Sequence, residues 1–194
     1  YYKNPEATAE TMTEDGWLKS GDLGKIDSDG FVYVTGRLKE IYVSSAGKNI
    51  APLVIEETMK SIPIVSQCML VGDNRKYCSA LFTLDVGAIL RDVHGLDGAT
   101  EVPKDPAEQL AKLADLGHDL SEYTAVGSDT YNQLNQAVMD LNKKFSNPEQ
   151  IKKFTVLPRD LSVDHGELTP TLKIRRKQIR ENWAAEIEEM YADA

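Results

Sequence analysis

The chain has 194 residues, with 22 Lys and Arg against 31 Asp and Glu, a formal net charge of −9. That balance argues against non-specific nucleic-acid binding, which relies on clustered cations; the local exception is Lys173-Ile174-Arg175-Arg176-Lys177-Gln178-Ile179-Arg180. An apolar share of 41% suffices for a packed core and argues against global disorder, and no apolar run reaches the roughly 18 residues that span a bilayer.

The opening Tyr1-Tyr2-Lys3-Asn4-Pro5 lacks the apolar core of a signal peptide and starts mid-pattern, so the sequence reads as a segment of a longer polypeptide. Asp27-Ser28-Asp29-Gly30 separates two short apolar stretches, 23–26 and 31–35, which predicts a β-hairpin. A calcium loop is the competing reading. It fails on register, because Lys25 would occupy the first ligand position and Gly36 the twelfth. Residues 38–44 read as a strand and 45–49 as a loop. Pro52 opens a helix running to about Lys60, since its missing N–H costs nothing in a first turn. Strands follow at 66–72 and 79–85. The order strand, helix, strand, strand predicts a small α+β sandwich with the helix on one face.

Residues 86–150 read as a mostly helical insertion. Asp105-Pro106-Ala107-Glu108 has the form of a capping box. Tyr131, Leu134, Ala137, Val138, Leu141 and Phe145 recur at helical spacing, which predicts a core-facing stripe in preference to a partner or lipid face. A strand at 154–157 follows. From Lys173 the chain returns to helix, with Ile179, Trp183, Ile187 and Tyr191 four residues apart. Cys68 and Cys78 are expected as buried strand thiols rather than a disulfide. His94, His118 and His165 are scattered and have no metal-ligand spacing.

Three segments carry the chemistry. They are Gly16-Trp17-Leu18-Lys19-Ser20-Gly21-Asp22-Leu23-Gly24; Gly36-Arg37-Leu38-Lys39-Glu40 with Ser44-Ser45-Ala46-Gly47-Lys48-Asn49-Ile50-Ala51-Pro52; and Gly166-Glu167-Leu168-Thr169-Pro170-Thr171-Leu172-Lys173. Taken locally, each has an ordinary explanation. Asp22 is a turn residue capping its own backbone, although a carboxylate also accepts two hydrogen bonds from a vicinal diol. Arg37 and Lys39 are exposed cations, Gly47 is a turn glycine, and Lys173 is one more cation at a basic helix start. Trp17 reads as a packing residue. Glu56 reads as a helix-surface charge outside any site.

In this order, the segments resemble the C-terminal part of the adenylate-forming superfamily: acyl-CoA synthetases, luciferases and peptide-synthetase adenylation domains. The third segment and the long insertion are most similar to the long-chain fatty acyl-CoA synthetases of the bubblegum type. The resemblance covers essentially the whole chain. It implies that residues 1–36 end a large N-terminal adenylation domain and that 37–194 form a small, mobile C-terminal domain. It also implies an AMP-forming acid–thiol ligase whose substrates are fatty acid, ATP and CoA. Residue by residue, it implies that Asp22 holds the ribose hydroxyls and Arg37 the nucleotide. Lys39 is then the hinge, Gly47 lines the pantetheine channel of CoA, and Lys173 is the catalytic cation of adenylation. One departure from the superfamily's pattern, shared by the bubblegum-type branch it resembles, is that the glycine usual before that Lys is Leu172 here.

The larger domain also carries a phosphate loop, a Tyr-Gly-x-Thr-Glu segment near adenine and magnesium, and the acyl pocket. None of these is present in this sequence. The Mg2+ site is therefore expected outside this chain, and the chain alone is expected to be inactive. Two rivals remain on the residues: a partner- or membrane-binding domain built on the insertion, and acyl transfer to a carrier-protein pantetheine. Cytoplasmic location is expected, with peripheral membrane contact left open.

Overall fold

The computed structural model describes residues 1–45 and 47–193. Helix α1 (Pro5–Thr11) is capped by the Asn4 side chain, which accepts from the Ala7 N–H. Strands β1 (Asp22–Ile26) and β2 (Val32–Arg37) then pair antiparallel, with Asp22 opposite Arg37. Their turn closes on Asp27, whose carboxylate accepts from the N–H groups of Asp29 and Phe31. The expected hairpin therefore forms, held by an Asx turn.

The expected strand at 38–44 is mostly absent. Leu38–Glu40 is a 3₁₀ turn, and only Tyr42–Val43 (β3) is extended, pairing with β4 (Asn49–Ile50). The Leu38 N–H still reaches across the hairpin to Gly21 O at 2.8 Å, whereas the Ile41 N–H turns back to Arg37 O at 3.2 Å and closes the turn, so the strand does not continue. Ala46, in the loop expected at 45–49, lies outside the described residues.

Helix α2 (Pro52–Met59) begins on its proline as expected. Strands β5 (Val65–Val71), β6 (Cys78–Leu84) and β7 (Ile151–Val156) form a three-stranded sheet in that order, β5–β6 antiparallel and β6–β7 parallel. Every residue of β6 is buried, the pattern of a strand covered on both faces. Cys68 and Leu70 pack towards α2, α3 (Val86–Asp92) and α6 (Asp129–Asn142). Met69, Val71 and Leu81 pack towards α7 (Arg176–Asn182) and α8 (Ala184–Tyr191). Helices thus cover both faces of the sheet, not one. The second layer comes from the C-terminal stripe Ile179, Trp183, Ile187 and Tyr191, all buried.

Residues 86–142 are largely helical. Between α3 and α6 lie α4 (Pro106–Asp115) and the single turn α5 (Ser121–Thr124). Asp105 caps α4 by accepting from Ala107 N and Glu108 N. A reciprocal capping box occurs instead at the 3₁₀ turn Asn147–Glu149, between Ser146 and Glu149. Leu134 and Val138 are buried, with Tyr131, Ala137, Leu141 and Phe145 packed against the same core, so the stripe is a core face. Cys68 and Cys78 are buried free thiols, pushed above the ordinary thiol range by burial.

Two details depart from expectation. His94 and His118 are not scattered in space: their rings lie 4.6 Å apart, and His94 Nε2 is 2.7 Å from the Tyr123 hydroxyl. Trp17, expected to pack, is 72% exposed. It belongs to a set of exposed apolar residues in the N-terminal segment that includes Ile26, Phe31, Val32 and Val34.

Candidate functional site: a cavity between the hairpin and the Lys173 turn

The segment before α7 is a tight loop rather than the helix expected from Lys173. Leu168 and Ile174 form an antiparallel bridge. Thr169 N donates to Lys173 O at 2.8 Å, Leu172 N to Thr169 O at 2.8 Å, and Lys173 N to Thr169 Oγ1 at 3.0 Å. This is the pattern of a short hairpin loop in which a turn is followed by one left-handed residue. That residue is Leu172, at φ +59°. The position suits glycine, and a leucine there costs about 1–2 kcal/mol. The departure noted in the sequence thus falls where the backbone itself favours glycine.

Two buried carboxylates fix this loop. Glu167, fully buried, accepts from Arg159 Nη1 and Nη2 at 2.7 and 2.8 Å. It also accepts from Ser162 N, Asn182 Nδ2 and Trp183 Nε1. Burial pushes its pKa up, but the bonds from Arg159, Asn182 and Ser162 outweigh that and bring it down to about 2. On the other side, Arg176 opens α7 and pairs in a two-pronged fashion with Glu56 of α2 at 2.5 and 2.6 Å. It also reaches Glu40 at 3.2 Å. Glu56 accepts from Leu70 N at 2.7 Å as well. Burial pushes the Arg176 guanidinium down, but its bond to Glu56 and the two nearby carboxylates outweigh it and leave the pKa raised.

Glu56 is therefore not a surface charge. With Pro52, Ile55 and Met59 it forms the buried face of α2. Spacing offered the signal that would have found it, because 52, 55, 56 and 59 follow the i, i+3, i+4, i+7 rule.

Asp22, Arg37 and Lys173 line one cavity of about 580 Å³, together with Leu172, Glu40, Glu56, Glu57, Lys60 and Arg176. Residues 150 positions apart are thus brought to one wall. The cations differ in their partners. Arg37 Nε lies 3.1 Å from Asp22 Oδ1, Lys60 pairs with Glu57, and Arg176 is held by Glu56 and Glu40. Among the described residues, no carboxylate lies within ion-pair distance of the Lys173 ammonium.

Lys39 and Gly47 stand apart. Lys39 sits in the 3₁₀ turn and lines a neighbouring cavity of about 590 Å³ with Glu40, Asp73, Arg176 and Arg180. Gly47 has φ +75° in a turn closed by its N–H to Ser44 O at 2.8 Å, with open space where a Cβ would be. Among the described residues, no group of three or more His, Cys, Asp or Glu side chains converges as metal ligands.

An α+β fold of this order, with a motif-bearing turn before its last helices, matches the AMP-binding enzyme C-terminal domain over residues 39–93 and 117–194. The chain belongs to that family. It is 40% identical over 98% of its length to the long-chain-fatty-acid–CoA ligase FadD15 of Mycobacterium tuberculosis, covering 29% of that protein. It is 39% identical over its full length to the long-chain-fatty-acid–CoA ligase ACSBG2 of Gallus gallus, covering 25% of it. The chain thus spans under a third of the curated relatives it matches. Its fold resembles the A-PCP didomain of the carboxylic acid reductase of Segniliparus rugosus, a structure in complex with AMP. That likeness has a TM-score of 0.69 at 20% identity, over 100% of this chain and 23% of the other.

Proposed function

We propose that this chain is the C-terminal portion of a long-chain fatty acid–CoA ligase of the bubblegum type, acting in the cytoplasm. Residues 1–36 close a larger adenylation domain, and 37–194 are the mobile domain. The exposed Trp17, Ile26, Phe31, Val32 and Val34 support that division, as surface that a larger domain would cover. The observation that carries the function is the shared cavity: Lys173, without an internal carboxylate partner among the described residues, lines it together with Asp22 and Arg37.

In the first half-reaction, a fatty-acid carboxylate oxygen attacks the α-phosphorus of ATP. The bond to the bridging oxygen breaks and pyrophosphate leaves. Asp22 accepts from the two ribose hydroxyls, Arg37 steers the nucleotide, and Lys173 offsets charge gathering on the α-phosphate. In the second, the CoA sulfur attacks the acyl carbonyl and AMP leaves. Rotation about Lys39 exchanges the two arrangements, and Gly47 admits the pantetheine arm.

The test uses the full-length parent. Long-chain acid should drive ATP–pyrophosphate exchange and acyl-CoA formation, and the 194-residue chain alone should support neither. Exchange that does not depend on any fatty acid would refute the assignment.

A further inference from the structure

Leu172 combines three properties that do not belong together in a residue kept for folding. It is non-glycine yet left-handed at φ +59°. The residue is 67% exposed and belongs to neither core cluster. It lines the cavity that holds Asp22, Arg37 and Lys173. Glycine at the same site would relieve the backbone and remove no buried contact. A strained and exposed apolar side chain next to a cation without a carboxylate partner among the described residues points to use by whatever occupies the cavity.

We propose that Leu172 is a shielding residue: its isobutyl group covers the acyl-adenylate beside Lys173 and keeps water from it. The unwanted reaction is hydrolysis. Water oxygen attacks the acyl carbonyl carbon, the acyl carbon–oxygen bond to phosphate breaks, and free fatty acid and AMP leave. An apolar wall at the mixed anhydride slows this by excluding the nucleophile. The inference rests on the ligase reading above and adds to it a residue that governs coupling rather than adenylation itself.

The experiment uses the full-length ligase as wild type, Leu172→Gly, Leu172→Asn and Leu172→Met. The ratio of AMP released in excess of acyl-CoA to acyl-CoA formed is measured with CoA present, and AMP release is measured with CoA omitted. Glycine and asparagine both tolerate the left-handed backbone but lack the apolar cover. Each should raise that excess, and the AMP release without CoA, about tenfold, the effect of roughly 1.4 kcal/mol at the hydrolytic barrier. Leu172→Met keeps an apolar group and should stay near the wild-type ratio. The thermal midpoint of Leu172→Gly should not fall below wild type, which separates lost shielding from lost folding. An unchanged ratio in Leu172→Gly overturns the proposal, as does a Leu172→Met ratio as high as that of Gly. If wild type releases no AMP with any long-chain acid, the ligase reading itself fails, and that outcome is distinct from either result.

Discussion

Replacing Glu56 by Gln should be among the most damaging single-atom-scale changes in this chain. Glu56 is 3% exposed and holds Arg176 through two short bonds while accepting from Leu70 N. A glutamine keeps one acceptor but turns an amide donor towards a guanidinium that can only donate. The guanidinium is then left buried, with Glu40 as its remaining partner at 3.2 Å. Breaking one side of a buried ion pair costs about 3–5 kcal/mol. With a urea m-value of about 2 kcal/mol/M, the denaturation midpoint should fall by about 1.5–2.5 M. Trp183, 8% exposed on α7's junction with α8, supplies the fluorescence signal. Glu40→Gln should cost much less, about 1 kcal/mol or under, because the Glu40 side chain is 37% exposed. Removing both charges with Glu56→Gln and Arg176→Gln should recover part of the loss, giving a favourable coupling energy in a double-mutant cycle. A Glu56→Gln midpoint within about 0.3 M of wild type would refute the view that this pair anchors the Lys173 loop.

Two further predictions concern the same region. The folded Glu167 pKa, lowered from 4.5 to about 2, means that its stabilisation is complete above pH 4.5 and is lost as pH falls towards 2. That loss should amount to something on the order of 3 kcal/mol, visible as a falling urea midpoint in acid that Glu167→Gln no longer shows; identical acid profiles would contradict it. Asp22→Asn should raise the KM for ATP of the full-length enzyme about tenfold while moving stability by less than about 1 kcal/mol, because Asp22–Arg37 is a largely exposed pair. A large stability loss with unchanged KM would instead mark Asp22 as a structural residue.

What was legible in the sequence follows from how local each feature is. The hairpin at Asp27 to Gly30 and the Pro52 helix start depend on residues within one turn of each other, so composition alone declared them. The stripe from Tyr131 to Phe145 was legible because a single helix repeats its core contacts. The 3₁₀ turn at Leu38 was not, because the bond that bends the chain, from Ile41 N to Arg37 O, joins backbone groups that no residue type there announces. Glu56 escaped because its partner Arg176 is 120 positions away, and only the buried spacing of α2 hinted at it. The second helical layer on the sheet was visible as the stripe Ile179, Trp183, Ile187 and Tyr191, but nothing local said which face it would cover. Leu172 was noticed as a departure from a motif, and its left-handed backbone supplies the physical content.

The most direct test of the central claim separates the two half-reactions in the full-length ligase, with wild type and Lys173→Ala. Fatty-acid-dependent ATP–pyrophosphate exchange should fall on the order of a hundred- to a thousand-fold in the variant, the usual effect of losing one such charge-stabilising donor. CoA-thioester formation from supplied acyl-AMP should continue near the wild-type rate. An equal loss of both half-reactions, or full exchange activity without the Lys173 ammonium, would contradict the account.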